Sequence, residues 1–321
     1  MNDKSGPPKR RDRPRRPSGK DSQPVPGTAS RPAGVPQQER LNRFEKPMRG
    51  MYRRDSERPS SRPQHLNKDE LRFCGKNACV AIWKNRPRDI IRVYVERART
   101  EEYAEMLTAM AKEQRAYQLV DASDLERLTD SVHHQGVCIV AAAKRTMQEK
   151  DFFREIMGGR SLLLYLDGVG NPHNLGAILR SAAHFGIRHV ALPKESFSRL
   201  SPAANRTSEG AAEFVSLVEV EDAETFFDRL HQRDFISYTF DAKESNPSIY
   251  DTRLPEKAVF VFGNEVDGVS GLVRATVERS LRIPGTGNVE SLNVSVAAAL
   301  AMAEFNRQSS QRSVRIVKSP T

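Results

Sequence analysis

Cysteine is scarce: Cys74, Cys79 and Cys138 are the whole complement, an odd number without C-x-x-C spacing. This argues against a disulfide framework and a zinc ribbon, and for a reducing, cytoplasmic setting. Long apolar runs are also missing. The best candidate, around residues 292–303, contains Asn293 and Ser295 and falls short of the roughly 18 residues a span requires. No apolar stretch follows the N-terminal charges, so a secretory leader is not expected. G-x-S-x-G is absent, and the seven histidines form neither H-E-x-x-H nor another recognisable ligand spacing. Serine hydrolase and zinc peptidase readings therefore lack their parts, and no metal is expected.

Residues 1–68 lack large apolar side chains almost entirely. They hold 18 Lys and Arg against 7 Asp and Glu, and 11 of the 19 prolines. Such a segment cannot offset chain entropy by burial and is expected to be disordered. It carries a net +11, so within a chain of +10 the remaining residues sum to −1. Arginine clusters such as "PPKRRDRPRR" suit counterion release on RNA or DNA, or they act only as a solubilising extension.

From Phe73 the pattern turns to short alternating elements. Helices are predicted at 75–85 and 100–114, strands at 89–96, 116–120 and 136–143, and a capped helix at 121–129. They predict a small α/β domain over 73–143, followed by a charged helical linker at 144–159. A second unit opens with "SLLLYLD" (161–167), an apolar run suited to a strand buried on both faces of a parallel sheet. Similar strands recur at 189–193, 214–220, 235–240, 258–263 and 280–284. Intervening helices are predicted near 175–186, 222–233, 270–278 and 292–308. The expected architecture is a doubly wound α/β sheet over 160–308, with a flexible tail at 309–321.

Ligands collect beyond the carboxyl ends of such strands, which singles out three loops: "DGVGNPHNLGAILR", "GNEVDGVSG" and "GTGNVESLN". The last imitates a phosphate cradle but fails the test. The third glycine of G-x-G-x-x-G would fall at Glu290, and no lysine precedes Ser291. In the first loop Asn174 sits where a cap belongs, and Asn171 and Asn174 also suit a plain turn. Arg180 follows about one and two-thirds turns later, on a helix apolar round much of its circumference, where it needs an anionic partner or a site. His173 reads either as a base or as an exposed turn residue. Glu265 follows a buried strand directly, and Ser291 or Asn293 can cap the final helix, serve a substrate, or both.

Taken in order, "DGVGNPHNLGAILRSAAHFG", "VFGNEVDGVS" and "IPGTGNVESLNVSVAAALAMAEF" resemble the three motifs of the SpoU family of RNA 2′-O-ribose methyltransferases, of the SPOUT class. "SEGAAEFV" (208–215) is similar to the stretch between the first two, and residues 73–143 resemble the ribosomal-protein-like RNA-binding domain of ribosomal-RNA-modifying members. The resemblance implies an S-adenosylmethionine site in a C-terminal trefoil knot, and a homodimer whose pocket draws on both chains. Carried over by motif position, Gly263, Ile283 and Leu292 contact the cofactor, while Asn174, Arg180, Glu265, Ser291 and Asn293 line the reacting end. It implies ribosomal RNA ahead of transfer RNA as substrate, with Arg180 as base or as phosphate clamp. A silent RNA-binding or assembly factor is the rival reading. The chain departs from the family at Asn171-Pro172, where relatives carry Asp-Pro, and at "IPG", where they carry "IPM".

Overall fold

A computed structural model describes residues 70–156, 158–199 and 210–317, with Leu66 and Ser208. The basic extension expected at 1–68 lies outside the described residues, Leu66 apart, as does the end of the chain after Val317.

The first sheet has four strands: β1 Glu70–Cys74, β2 Ile90–Glu96, β3 Tyr117–Val120 and β4 Val137–Ala142, in the order β1-β4-β2-β3. Three helices accompany it, α1 Lys76–Asn85, α2 Ala104–Lys112 and α3 Ala122–Thr129. Alternation along β2 and β4 sends Val93, Val95, Ile139 and Ala141 to a core shared with Met106 and Met110. On the other face, Tyr94, Cys138 and Val140 pack with Leu125. Both faces are therefore covered. Burial raises the Cys79 thiol well above its ordinary value and pushes Cys138 up to about 12, so both stay protonated at neutral pH as packing groups.

Two expectations change here. The domain starts earlier than Phe73, because β1 pairs antiparallel with β4 from Glu70 opposite Ala142. Asp121 precedes α3 as expected, but its carboxylate makes no capping bond and lies 3.6 Å from Arg97 instead.

The second sheet has seven strands, all parallel, in the order β11-β9-β10-β6-β7-β8-β5. They are β5 Met147–Gln148, β6 Ser161–Asp167, β7 His189–Pro193, β8 Ser216–Val220, β9 Ile236–Phe240, β10 Lys257–Gly263 and β11 Arg279–Leu281. The helices are α4 Glu149–Glu155, α5 Pro172–His184, α6 Ala223–His231, α7 Gly271–Thr276 and α8 Val294–Val317. The apolar run of β6 is divided between two cores. Leu162, Leu164 and Leu166 meet Ile178 and Leu179 of α5 and Met302 and Phe305 of α8; Leu163 and Tyr165 meet Phe152, Phe226 and Phe227.

The segment 144–159 is more than the connector expected. Met147 and Gln148 pair with Val218 and Glu219 as an edge strand, and Phe152 and Phe153 of α4 are buried in the second core. The final helix also runs past residue 308 to Val317, where a flexible tail was expected.

The sheets meet at residues 210–215. Arg86, at the end of α1, donates to both carboxylate oxygens of Glu213 at 2.7 and 3.1 Å. Burial opposes its charge, but Glu213 and Asp89 outweigh that and hold the guanidinium above its ordinary value. Lys144 Nζ donates to the carbonyls of Ala212, Glu213 and Val215 at 2.8–2.9 Å. Burial lowers the pKa of this ammonium, with Glu213 acting against the shift. Gly210 is required by proximity: a Cβ there would stand 2.8 Å from Ala78 Cα.

Candidate functional site

Strand order reverses between β6 and β10, which pair directly, with Gly263 opposite Asp167. From β6 the chain continues toward β7, and from β10 toward β11, so their C-terminal loops border the switch point where open α/β sheets bind ligands.

The loop after β10 folds back on itself. Asn264 exchanges two backbone hydrogen bonds with Gly268, and its Oδ1 accepts from Val266 N at 2.8 Å and Asp267 N at 3.3 Å. Its Nδ2 donates to Gly168 O at 3.0 Å, tying this loop to the one after β6. Asp167 Oδ2 makes a second tie by accepting from Ser270 N at 2.6 Å. Gly263 is a glycine because a Cβ would overlap the backbone of Gly268 and Val269.

This fold-back holds Glu265 at the exposed tip, where Oε1 accepts from Asn174 Nδ2 at 2.6 Å. Asn174 is buried, and its Oδ1 accepts from Asn293 Nδ2 at 3.0 Å. Asn293 Oδ1 in turn accepts from Ser295 N at 2.9 Å and Ser295 Oγ at 2.6 Å. One end of the series is a carboxylate, which only accepts when ionised; the other includes a backbone amide, which only donates. Both asparagine orientations follow from those ends. Three motifs far apart in sequence thus form one polar network at one rim.

The remaining site residues fall around this network. The cap of α5 is Asn171, whose Oδ1 accepts from His173 N at 2.9 Å with Pro172 in the first helical position; Asn174 lies inside the helix. The expected capping role of Asn174 is therefore corrected, since Asn171 already meets that demand and leaves Asn174 to the network. Arg180 lies roughly 9 Å farther along α5 and about 120° round it, exposed on a groove wall with Asn77, His184 and Phe214. It is not embedded in an apolar face as expected, because the buried stripe of α5 runs through Leu175, Ile178, Leu179 and Ala182. Asn293 takes the capping role expected of it and also bonds Asn174, while Ser291 is exposed. Asn264 and Asp167 carried no assigned role in the sequence reading, although an asparagine after glycine at a strand end signals a side-chain-closed turn.

Ile283 is half-buried against the first core, just past β11. Leu292 is 45 % exposed, and Val289, in the intervening bend, is 72 % exposed. Residues 283–293 carry Glu290 and no lysine or arginine. Apolar side chains beside an open glycine bend fit a flat, uncharged ring, and the carboxylates Glu265 and Glu290 suit a cation better than a phosphate.

Known protein families match the chain across both sheets. The model of the SpoU rRNA Methylase family matches residues 161–303, and that of RNA 2′-O ribose methyltransferase substrate binding matches residues 73–147. A 23S rRNA (guanosine-2′-O-)-methyltransferase, RlmB of Xylella fastidiosa, is 34% identical over 76% of this chain and 98% of its own length. The uncharacterized tRNA/rRNA methyltransferase YfiF of Escherichia coli O157:H7 is 33% identical over 75% of this chain and 69% of its own. Among solved structures, a putative RNA methyltransferase of the TrmH family from Porphyromonas gingivalis superimposes with a TM-score of 0.60 at 26% identity, covering 75% of this chain and 90% of its own. With two family models in tandem, and a relative matched over nearly its whole length, the chain belongs to the SpoU family of RNA methyltransferases.

Proposed function

We propose that this chain methylates a ribose 2′-hydroxyl in structured RNA, ribosomal RNA ahead of transfer RNA, in the cytoplasm. The observation that carries the reading is the network joining Glu265, Asn174 and Asn293, one residue from each motif loop, at the switch point of the sheet. The match of residues 73–147 to a substrate-binding model supports RNA as the partner, and similarity to RlmB favours ribosomal RNA. Among the described residues, no helix is long and apolar enough to cross a membrane.

S-adenosylmethionine, when bound, supplies an electrophilic methyl group on a cationic sulfonium. Gly263, Ile283 and Leu292 are the residues to hold it, largely through backbone. Asn174, clamped between Glu265 and Asn293, fixes the rim of the pocket in one arrangement, which favours a single approach angle for the attacking oxygen. Ser291 and Asn293 border the reacting end. The planar guanidinium of Arg180 holds the phosphate next to the target ribose in bidentate fashion. The hydroxyl proton then leaves to that phosphate or to water.

The reading includes a trefoil knot and a homodimer. For the knot, support comes from the return of the chain: β11 lies at one edge of the sheet, yet α8 follows directly on Asn293, which is tied to Asn174 near the middle of the sheet, and packs on α5. For the homodimer, Val296 and Leu300 lie one turn apart on α8 and are 47 % and 37 % exposed, apolar surface suited to a second copy.

Mapping ribose methylation across cellular RNA with and without this protein tests the function. Loss of methylation at a defined ribosomal RNA nucleotide is the expected result. An unchanged map would favour the silent RNA-binding or assembly factor.

A further inference from the structure

Phe214 is 59 % exposed, yet the backbone on either side of it is tied down by hydrogen bonds. Lys144 binds carbonyls on both sides of it, those of Glu213 and Val215, and the Glu213 side chain, only 3% exposed, is locked to Arg86. A large apolar ring is thus presented to solvent from a rigid seat rather than from a loose loop.

The ring borders an open groove of about 420 Å³ at the seam between the two sheets. Across it, α5 presents Arg180 and His184, one turn apart and both exposed, and α1 contributes Asn77. The described lining holds a cation, an imidazole, an amide and an aromatic face, and no carboxylate. Glu213, next to Phe214 in sequence, turns its carboxylate to Arg86.

We propose that this seam is a stacking site for an unpaired RNA base, lying on Phe214 with its phosphate toward Arg180. Aromatic faces bind any base by stacking, and a neighbouring cation tracks the backbone. The site sits between the segment matched to substrate binding and the methylase motifs, so its occupant is a nucleotide flanking the one to be modified. The inference rests on the methyltransferase reading for the identity of the polymer as substrate, but not for the stacking itself.

The test uses the full chain with two probes: an unstructured oligoribonucleotide carrying 5-iodouridine, and a blunt RNA duplex of the same composition. Irradiation is expected to yield a cross-link mapping to Phe214 by mass spectrometry. F214A, once its melting temperature shows that it folds, should bind the unstructured probe about ten- to a hundredfold more weakly. F214W should restore binding, and duplex affinity should not change. Wild-type affinity of F214A for the unstructured probe overturns the proposal, as does an equal loss on the duplex. A shift of F214A to a smaller particle in light scattering also overturns it, because the ring would then be covered by a second chain. If methyl transfer proceeds while F214A binds normally, the stacking site fails and the methyltransferase reading stands. If no RNA is methylated and the Phe214 cross-link still forms, the reverse holds.

Discussion

The side-chain amide of Asn293 donates to Asn174 Oδ1 at 3.0 Å, joining two residues 119 positions apart across the rim of the parallel sheet. Because Asn174 passes the interaction on to Glu265 at 2.6 Å, altering its amide reaches all three motif loops at once. Replacing Asn174 by Asp keeps the shape but sets a second carboxylate against Glu265. At neutral pH the two charges repel, and turnover should fall about a hundredfold as the loops separate. On acidification a proton shared between the carboxyls replaces the lost hydrogen bond. N174D should therefore regain thermal stability relative to wild type as the pH falls from about 8 to about 5. N174A, which has nothing to protonate, should lose about 1–3 kcal/mol at both. Melting curves of the three proteins at the two pH values check this.

Gly263 gives a second handle on the same loop. A methyl group there meets the backbone of Gly268 and Val269, which cannot swing aside as a side chain can. G263A should cost about 1–3 kcal/mol of stability and displace the turn carrying Glu265. Affinity for S-adenosylmethionine by calorimetry should fall by more than the stability loss alone explains. An unchanged affinity would remove Gly263 from the proposed cofactor site.

Much of the catalytic sheet was legible in the sequence, for a physical reason. β6 and β10 are central strands buried on both faces, so they appear as uninterrupted apolar runs, and glycine-rich polar loops follow them. β1 and β5 were not legible. Both lie at sheet edges, β5 is two residues long, and β1 is interrupted by Arg72. Composition marks burial, and edge strands are less buried. The cap of α5 was misplaced by three residues although Pro172, in the first helical position, points to Asn171. The hydrogen bonds from Asn174 to Glu265 and Asn293 bridge 91 and 119 residues, and no local pattern encodes such partners.

The Arg86–Glu213 pair joins the two sheets through side chains that are 11% and 3% exposed. Breaking one side of a buried pair leaves a charge without compensation, at a cost of about 3–5 kcal/mol. R86M and E213L should each lower the melting temperature of the full chain by on the order of 10 °C, and the double variant should recover much of the loss. Additive losses in the double variant would show that the pair is not coupled. A second melting step in R86M alone would show that the pair holds the sheets together as one unit.

Residues 1–68, although outside the described structure apart from Leu66, carry the basic excess of the chain. If they act as a tether, deleting them should weaken RNA binding and flatten its dependence on salt, by roughly 0.7–0.9 in log–log slope for each phosphate they neutralise. An affinity titration from about 50 to about 200 mM salt reads this directly. Weaker binding with an unchanged slope would leave the segment a solubilising extension.

The two roles proposed for Arg180 make different predictions for its lysine variant. As a clamp it needs the planar guanidinium fork, and Arg180→Lys should weaken RNA binding about tenfold while turnover at saturating RNA persists. As a base it must lose a proton. Lysine gives up a proton far more readily than arginine, so Arg180→Lys would then keep its RNA affinity, and its rate would climb with pH along a profile displaced from that of wild type. The exposed position of Arg180 on the wall of the seam groove favours the clamp, since a planar fork open to solvent can meet a phosphate on two of its N–H groups. The expected result is thus a rise in KM for RNA with kcat largely retained, and pH–rate profiles that coincide for the two proteins. A displaced profile at unchanged KM would assign the proton to Arg180.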